Sequence, residues 1–410
     1  MRSPSLQYLY LQKPLTLIFL IALAVFSPLI NDSGVATLMQ LDRFVAVVAS
    51  IGFVGYFFFF VGRRLSLKEA FVIAMLELCF LASQQYLYYS GVDAFVSLLF
   101  FAGLIGLYRA QEYGFERTPW VAYAMLLPCA MVKGAVVLWV AFLIWGVYLI
   151  LLRYTLRQVL WCVLLPFVVL LLLLGGYYWA MGAAGVDCYV LGMGGPASVW
   201  FYPKALLEAV NLWWAFLILL PLAGRTDDVR KFLGGWLPFR NPKDNSERMV
   251  LFSWIALVVI VVCLMIVPEK RTENLMLAYP FLALLLGRLV LFLSEYRRFS
   301  IRCFAYCSFS VGVVMVFLYL VLVGQMMPDL HLSLLDYSCF SQLDLMLGRY
   351  TVAPLTAIHW TFFAVFFFAL GTLLYQLFHR VNVKILFATL ACYLAFYMLL
   401  NWTILHAPVL

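Results

Sequence analysis

The sequence predicts an all-α polytopic membrane protein of about 12 transmembrane helices plus an interfacial N-terminal helix. Three observations lead there. The chain of 410 residues is 66% hydrophobic and 11% charged, against roughly 45–50% and about 25% in soluble domains. Its apolar residues form near-unbroken runs, as at Phe44–Val61 and Met249–Val267, not the alternation of an outer-membrane barrel strand. The runs recur near the ~20 residues that a helix rising ~1.5 Å per residue needs to cross a ~30 Å hydrocarbon core. A soluble enzyme of this composition has too few polar groups to cover its surface. Disordered, collagen-like and small disulfide-scaffold classes are excluded as well.

Taken in order, residues 1–43 form an N-terminal outer segment. Its one apolar run, Leu15–Ile30, contains Pro28 and is short for a span, so it reads as an interfacial helix. A transmembrane core over 44–323 follows, with spans at 44–61, 70–88, 94–108, 120–132, 135–152, 159–179, 205–223, 249–267, 275–294 and 303–323. Residues 324–410 supply a large loop and a C-terminal pair of spans, 357–378 and 385–404. The other long loops are 180–204 and 224–248, the latter mixing Pro, Gly and both charges. No tandem repeat and no cleavable signal peptide stands out.

Charge orients the chain. With these spans, Arg2, Lys13, Arg43, Lys133, Lys204, Lys270, Arg271 and Arg349 fall on one side, and Arg288 lies inside a span. The remainder of the 27 Lys and Arg fall on the other side, which the positive-inside rule assigns to the cytoplasm. Both termini then face outward. That requires either that Leu15–Ile30 crosses or that a span precedes Met1.

The few outward charges are candidate site residues. The stretch 120–152 is broken only by Lys133-Gly134. Its first arm climbs only ~20 Å of a ~30 Å core, so the turn is expected to lie recessed below the outer surface, lined by protein or water; the plain alternative is a snorkelling lysine. Asp93 opens the next short span, where a carboxylate needs a partner or serves as an N-cap. Lys270 and Arg271 share a tight loop with Glu269 and Glu273, which reads either as a phosphate clamp or as a self-neutralised solvated loop. Lys13 precedes Pro14 at the interfacial run, where a lysine is commonly an anchor. Several cations and one carboxylate in a recess suit an anionic lipid headgroup. Glu77, with Gln84 and Gln85 beyond it, reads as an interhelical hydrogen-bonding group or part of a polar path. His331, His359, His379 and His406 show no metal-ligand spacing. Cys188 and Cys339 fall in the two large outer loops, where an oxidising compartment would allow pairing.

The strings around these residues resemble a family. Tyr10-Leu11-Gln12-Lys13-Pro14-Leu15 is similar to the Y-x-E-K-P-P segment of GT-C glycosyltransferases of the aminoarabinose–lipid A transferase and protein O-mannosyltransferase type. Val61-Gly62-Arg63-Arg64-Leu65 resembles G-R-R-L, and Gly91-Val92-Asp93 resembles an Asp before a span. Met131-Val132-Lys133-Gly134 resembles L-T-K-G, and Trp200-Phe201-Tyr202 the W-Y-Y end of an outer loop. Glu269-Lys270-Arg271 with Leu277-Ala278-Tyr279-Pro280 resembles K-R-x-x-Y-x-L-P-x-Y-P. The resemblance covers about residues 8–290 and not the last third.

It implies an integral protein of the cytoplasmic (inner) membrane that moves a sugar from a polyprenyl-phosphate donor to a lipid, glycan or protein acceptor at the outer face. Lys13, Lys133, Lys270 and Arg271 would hold the donor phosphate. Asp93 is the matched acid, in a supporting role. Tyr10, Gln12, Trp200, Tyr202 and Tyr279 would line the cavity. Relatives of the type hold a divalent metal; the residues themselves imply no cofactor, and no nucleic acid. The departures are specific: Gln12 replaces the family's Glu, Leu15 and Leu277 replace prolines, and Gly194, Gly195 and Pro196 stand where the family has His and Arg. The family's first span and acidic outer loop, with its principal catalytic acid, would precede Tyr10, which is preceded here by nine residues. The expectation is a truncated or degenerate member. The rival classes are a lipid or solute transporter, which should show an internal repeat with midplane binding residues, and a non-catalytic polyprenyl-phosphate-binding homologue.

Overall fold

The computed structural model describes residues 45, 48–80, 91–112, 120–183, 200–210, 227–236, 244–266, 272–296, 298–299, 301–306, 308–310, 357–392 and 395. All regular structure among them is helical. In chain order, α1 covers 48–64 and widens into a π-type turn at Phe57–Val61. Then come α2 (Leu67–Cys79), α3 (Gly91–Glu112), α4 (Trp120–Lys133) and α5 (Val136–Leu151). Next are α6 (156–183, with a π-type turn at Leu160–Leu164), α7 (Phe201–Val210) and α8 (Asp227–Trp236). Last come α9 (Asn245–Ile266), a 3₁₀ turn (Thr272–Leu277), α10 (Tyr279–Tyr296) and α11 (Ala357–His379).

Local chemistry marks several ends. Ser66 caps α2 by accepting from the Glu69 amide at 3.1 Å, satisfying an N-terminal donor that the helix cannot. Between α5 and α6, Arg153 adopts a left-handed φ of 61°. This lets the Tyr154 amide donate back to the Leu149 carbonyl at 3.1 Å, after which Thr155 and Gln158 close a capping box. Gly134 turns α4 into α5 at φ 87°, a conformation that disfavours a Cβ.

The described chain forms two compact units. The first comprises 1–64, 86–204 and 235–285, the second 65–85, 205–234 and 286–410. In the first unit α3 is central, with 72% of its apolar window buried. It runs antiparallel to α4, and small residues let the backbones close up. A Cβ on Gly106 would lie 2.8 Å from that of Ala122, and one on Gly103 only 3.1 Å from the Ala122 carbonyl. Phe57, Phe101, Phe252 and Phe281 fill the middle, with ring centroids 5.2–6.2 Å apart along the chain of contacts. One end is closed by a polar network. The Arg64 guanidinium donates to both Glu112 carboxylate oxygens at 2.9 and 3.0 Å and stacks 3.8 Å above Phe60. Beside it, Tyr108 donates to the Asn245 carbonyl at 2.9 Å and Gln111 to the Tyr154 hydroxyl at 3.0 Å. The Trp236 indole docks on the Leu285 carbonyl at 3.0 Å.

In the second unit, α2 packs against α10 at Gly287, where an added Cβ would sit 3.2 Å from the Ile73 Cα. Phe71 meets Phe387 and Phe232 stacks on Phe292, with centroids 4.7 and 4.0 Å apart. Glu77 is buried in α2.

Three described helices are long and apolar enough to cross a membrane: Asp93–Glu112, Leu156–Ala180 and Asn245–Ile266. Only 22% of the Leu156–Ala180 window is buried, as befits a lipid-facing helix. Trp161 and Trp179 stand exposed near its ends, about 27 Å apart along the axis, which matches the spacing of the two aromatic belts of a bilayer.

Several expected spans are redrawn. The 70–88 span is not one helix: α2 stops at Cys79 because Phe80 turns extended. The short span 94–108 is a 22-residue helix, since Arg109 and Glu112 sit at its polar end, where charge is tolerated. The 120–152 stretch is two short helices reversing at Gly134, as expected. The 224–248 loop contains α8. Residues 15–30 and the loop 324–356 lie outside the described residues.

Gly106→Leu is expected to lower stability in detergent by about 1–3 kcal/mol, as overpacking does. Gly55→Ala, where an added Cβ meets nothing within 4 Å, should leave the melting temperature unchanged or slightly raised, because alanine favours helix. Thermal unfolding of the two variants side by side checks both.

Candidate functional site

The antiparallel α3–α4 pair carries a simple register. Gly106 faces Ala122 near one end, Cys129 Sγ reaches the Val96 carbonyl at 3.4 Å further along, and Asp93 meets Lys133 at the other end. The Lys133 ammonium lies 2.5 Å from Asp93 Oδ1, with side-chain exposures of 12% and 9%. Both charges are therefore largely out of water, where each requires the other. Asp93 lies in the first turn of α3 and not before it, so the N-cap alternative does not describe it. The helix N-terminus still favours its negative charge.

A second strand of the site comes from the turn after α9. Ser97, one turn into α3 from Asp93, donates to the Met276 carbonyl at 2.5 Å. This pins the 3₁₀ turn Thr272–Leu277 against α3 and places Asn274 over Lys133. Lys133 Nζ donates to Asn274 Oδ1 at 3.3 Å, and Asn274 Nδ2 donates to the Tyr202 hydroxyl at 3.4 Å. Tyr178 on α6 fastens the end of α4 by donating to the Ala130 carbonyl at 3.2 Å. The result is a polar chain, Asp93–Lys133–Asn274–Tyr202, joined by one ion pair and two hydrogen bonds, at the end of the unit opposite the Arg64–Glu112 pair. Asp93 and Glu112 are separated by about 28 Å of helix axis.

The expected site residues divide as follows. Asp93, Lys133 and Tyr202 come together. Tyr279 is buried at the start of α10. Trp200 is exposed in the turn before α7. Tyr10, Gln12, Lys13, Lys270 and Arg271 lie outside the described residues, as do Cys188 and Cys339. Asn274 was missed, although it is the last polar residue before the apolar Leu275–Leu277. Of the adjacent Arg63 and Arg64, Arg63 is exposed while Arg64 is bonded to Glu112. Among the described residues, no three His, Cys, Asp or Glu side chains gather to hold a metal ion. Asp93 with Asn274 alone does not make such a site.

Chemically, the arrangement offers a nearly buried ammonium with three N–H donors, held by one anion and one neutral amide. Such a group binds an oxyanion or a polarised oxygen.

No family model matches the chain, and no characterised protein matches it by sequence. Its fold does match solved structures. The chain is similar to ArnT from Cupriavidus metallidurans bound to undecaprenyl phosphate, with a TM-score of 0.61 and 13% identity over 89% of this chain and 63% of that one. The apo state of the same protein matches with a TM-score of 0.59 and 13% identity, over 87% of this chain and 61% of that one. The chain thus shares the polytopic membrane fold of these neighbours and spans less than two thirds of their length.

Lys133→Met is expected to destabilise the protein by about 3–5 kcal/mol by leaving a buried carboxylate without its cation. The double variant Asp93→Asn, Lys133→Met should recover most of that loss. Melting of the single and double variants in detergent reads the difference.

Proposed function

We propose that this chain is a GT-C-type membrane glycosyltransferase-like protein that binds a polyprenyl-phosphate sugar, with Lys133 on the donor phosphate. The observation that carries the proposal is the nearly buried Lys133, aligned by Asp93 and Asn274 in a fold shared with a protein that holds undecaprenyl phosphate. The six motif resemblances over residues 8–290 support the same reading. The motif resemblance adds Lys13, Lys270 and Arg271 to the phosphate, and Tyr10, Gln12, Trp200, Tyr202 and Tyr279 to the cavity. By the charge asymmetry of its loops, the site faces the outer side of the cytoplasmic membrane.

In sugar transfer the acceptor oxygen attacks the anomeric carbon, its proton goes to a base, and the carbon–oxygen bond to phosphate breaks. The bonding pair leaves with the polyprenyl phosphate, on which negative charge grows. A fixed ammonium at that oxygen stabilises the growing charge more than the ground state, which is what accelerates the step. Asp93 is suited to holding Lys133 and poorly suited to the base role. Its carboxylate lies 2.5 Å from the Lys133 ammonium, so it is already committed to that cation. The acceptor is a hydroxyl of a lipid, glycan or protein, lipid A modification being the family's example.

Reconstituted protein is expected to bind undecaprenyl phosphate, and Lys133→Ala to weaken that binding by roughly 10–100-fold, the value of a charge-assisted hydrogen bond. Incubation with a labelled polyprenyl-phosphate sugar and envelope lipids then separates the outcomes. Turnover supports an enzyme, whereas binding without turnover supports the non-catalytic homologue. No binding at all overturns the proposal in favour of a transporter.

A further inference from the structure

The Lys133 ammonium has three protons. It lies against Asp93 Oδ1 as an ion pair and donates one proton to the Asn274 carbonyl, and among the described residues no other group accepts a hydrogen bond from it. The Asn274 amide is itself oriented, because its nitrogen donates to the Tyr202 hydroxyl. Its oxygen must therefore face the ammonium. Asp93 cancels the charge of Lys133, while Asn274 directs that charge without cancelling it further. From this geometry we propose that Asn274 is a positioning residue that, by fixing one N–H of Lys133, aims the remaining donor capacity of the ammonium at an anionic oxygen, and that its neutrality is what leaves the site able to take a phosphate. The inference rests on the reading of the site as a donor-phosphate site and deepens it.

The scaffold supports this role. Asn274 is carried on a 3₁₀ turn that Ser97 ties to α3, the helix that also carries Asp93. The two groups holding Lys133 are thus fixed to one another as well as to the lysine. A carboxylate at 274 would have nearly the same shape as the amide. It would, however, place a second anion on an ammonium that already has one, making a net negative cluster that repels phosphate.

The test compares Asn274→Asp with Asn274→Leu. If Asn274 only filled space, the near-isosteric aspartate would be the milder change. The charge argument expects the reverse. Undecaprenyl phosphate affinity in nanodiscs should fall by at least roughly tenfold in Asn274→Asp and by less in Asn274→Leu. Acylation of Lys133 by acetic anhydride, quantified by peptide mass spectrometry without any lipid ligand, gives an independent readout. Asn274→Leu should speed it by removing a partner of the ammonium, and Asn274→Asp should slow it by engaging the ammonium with a second carboxylate. Wild-type affinity in Asn274→Asp, or a larger loss in Asn274→Leu, overturns the inference. Failure of the wild type to bind undecaprenyl phosphate overturns the functional reading instead. In that case the acylation rates alone decide the positioning role, and equal rates in all three proteins refute it.

Discussion

The close approach of the 91–112 and 120–133 helices governs the rest of the first unit. Gly103 and Gly106 lack the Cβ atoms that would hold α4 away, so Ala122 and Leu126 settle directly onto the α3 backbone. In an apolar solvent, tight van der Waals packing of small residues is a principal source of helix association. Once those residues are in contact, the antiparallel register follows down the pair. Cys129 reaches Val96, and Lys133 arrives beside Asp93. The ion pair is thus a consequence of packing roughly four turns away, and its own attraction has only to offset the cost of removing two charges from water.

The first unit separates its polar chemistry to two ends. Arg64, Glu112, Gln111, Tyr108 and Tyr154 interlock at one, and Asp93, Lys133, Asn274 and Tyr202 at the other. Between them lie stacked and tilted aromatic rings. The two ends differ in kind. At the first, a bidentate guanidinium–carboxylate pair stacked on Phe60 uses its donors internally, and it reads as a structural clasp. At the second, a lysine with a donor to spare is held at two points among the described residues. Surplus donor capacity in a nearly buried cation is what supports the proposal that the second end is a site and the first a clasp.

Much of this was legible beforehand. The break of 120–152 at Lys133-Gly134 was legible because those two residues alone interrupt the apolar stretch. The need of Asp93 for a partner followed from the cost of a carboxylate at a hydrocarbon edge. Less was legible at helix ends. Hydropathy placed the end of the third span before Arg109, but the backbone carries the helix on to Glu112 because Arg64 waits there. It also ran a span through Phe80, where the helix in fact stops. Hydropathy registers transfer free energy and not backbone hydrogen bonding, so it misjudges ends that a distant partner stabilises.

What the sequence determined by itself was the solvent and the inventory. So apolar a chain with so few charges folds as a helical bundle in lipid, and any anion-binding chemistry must draw on a handful of cations. The tertiary structure decided pairing: that Lys133 belongs with Asp93, that Arg64 and not Arg63 is bonded to Glu112, and that Asn274 completes the first pair. The physical reason is that a hydrogen bond depends on distances within about an ångström. Asp93, Lys133, Tyr202 and Asn274 lie far apart along the chain, and only the packing of α3, α4 and the 3₁₀ turn brings them within that range.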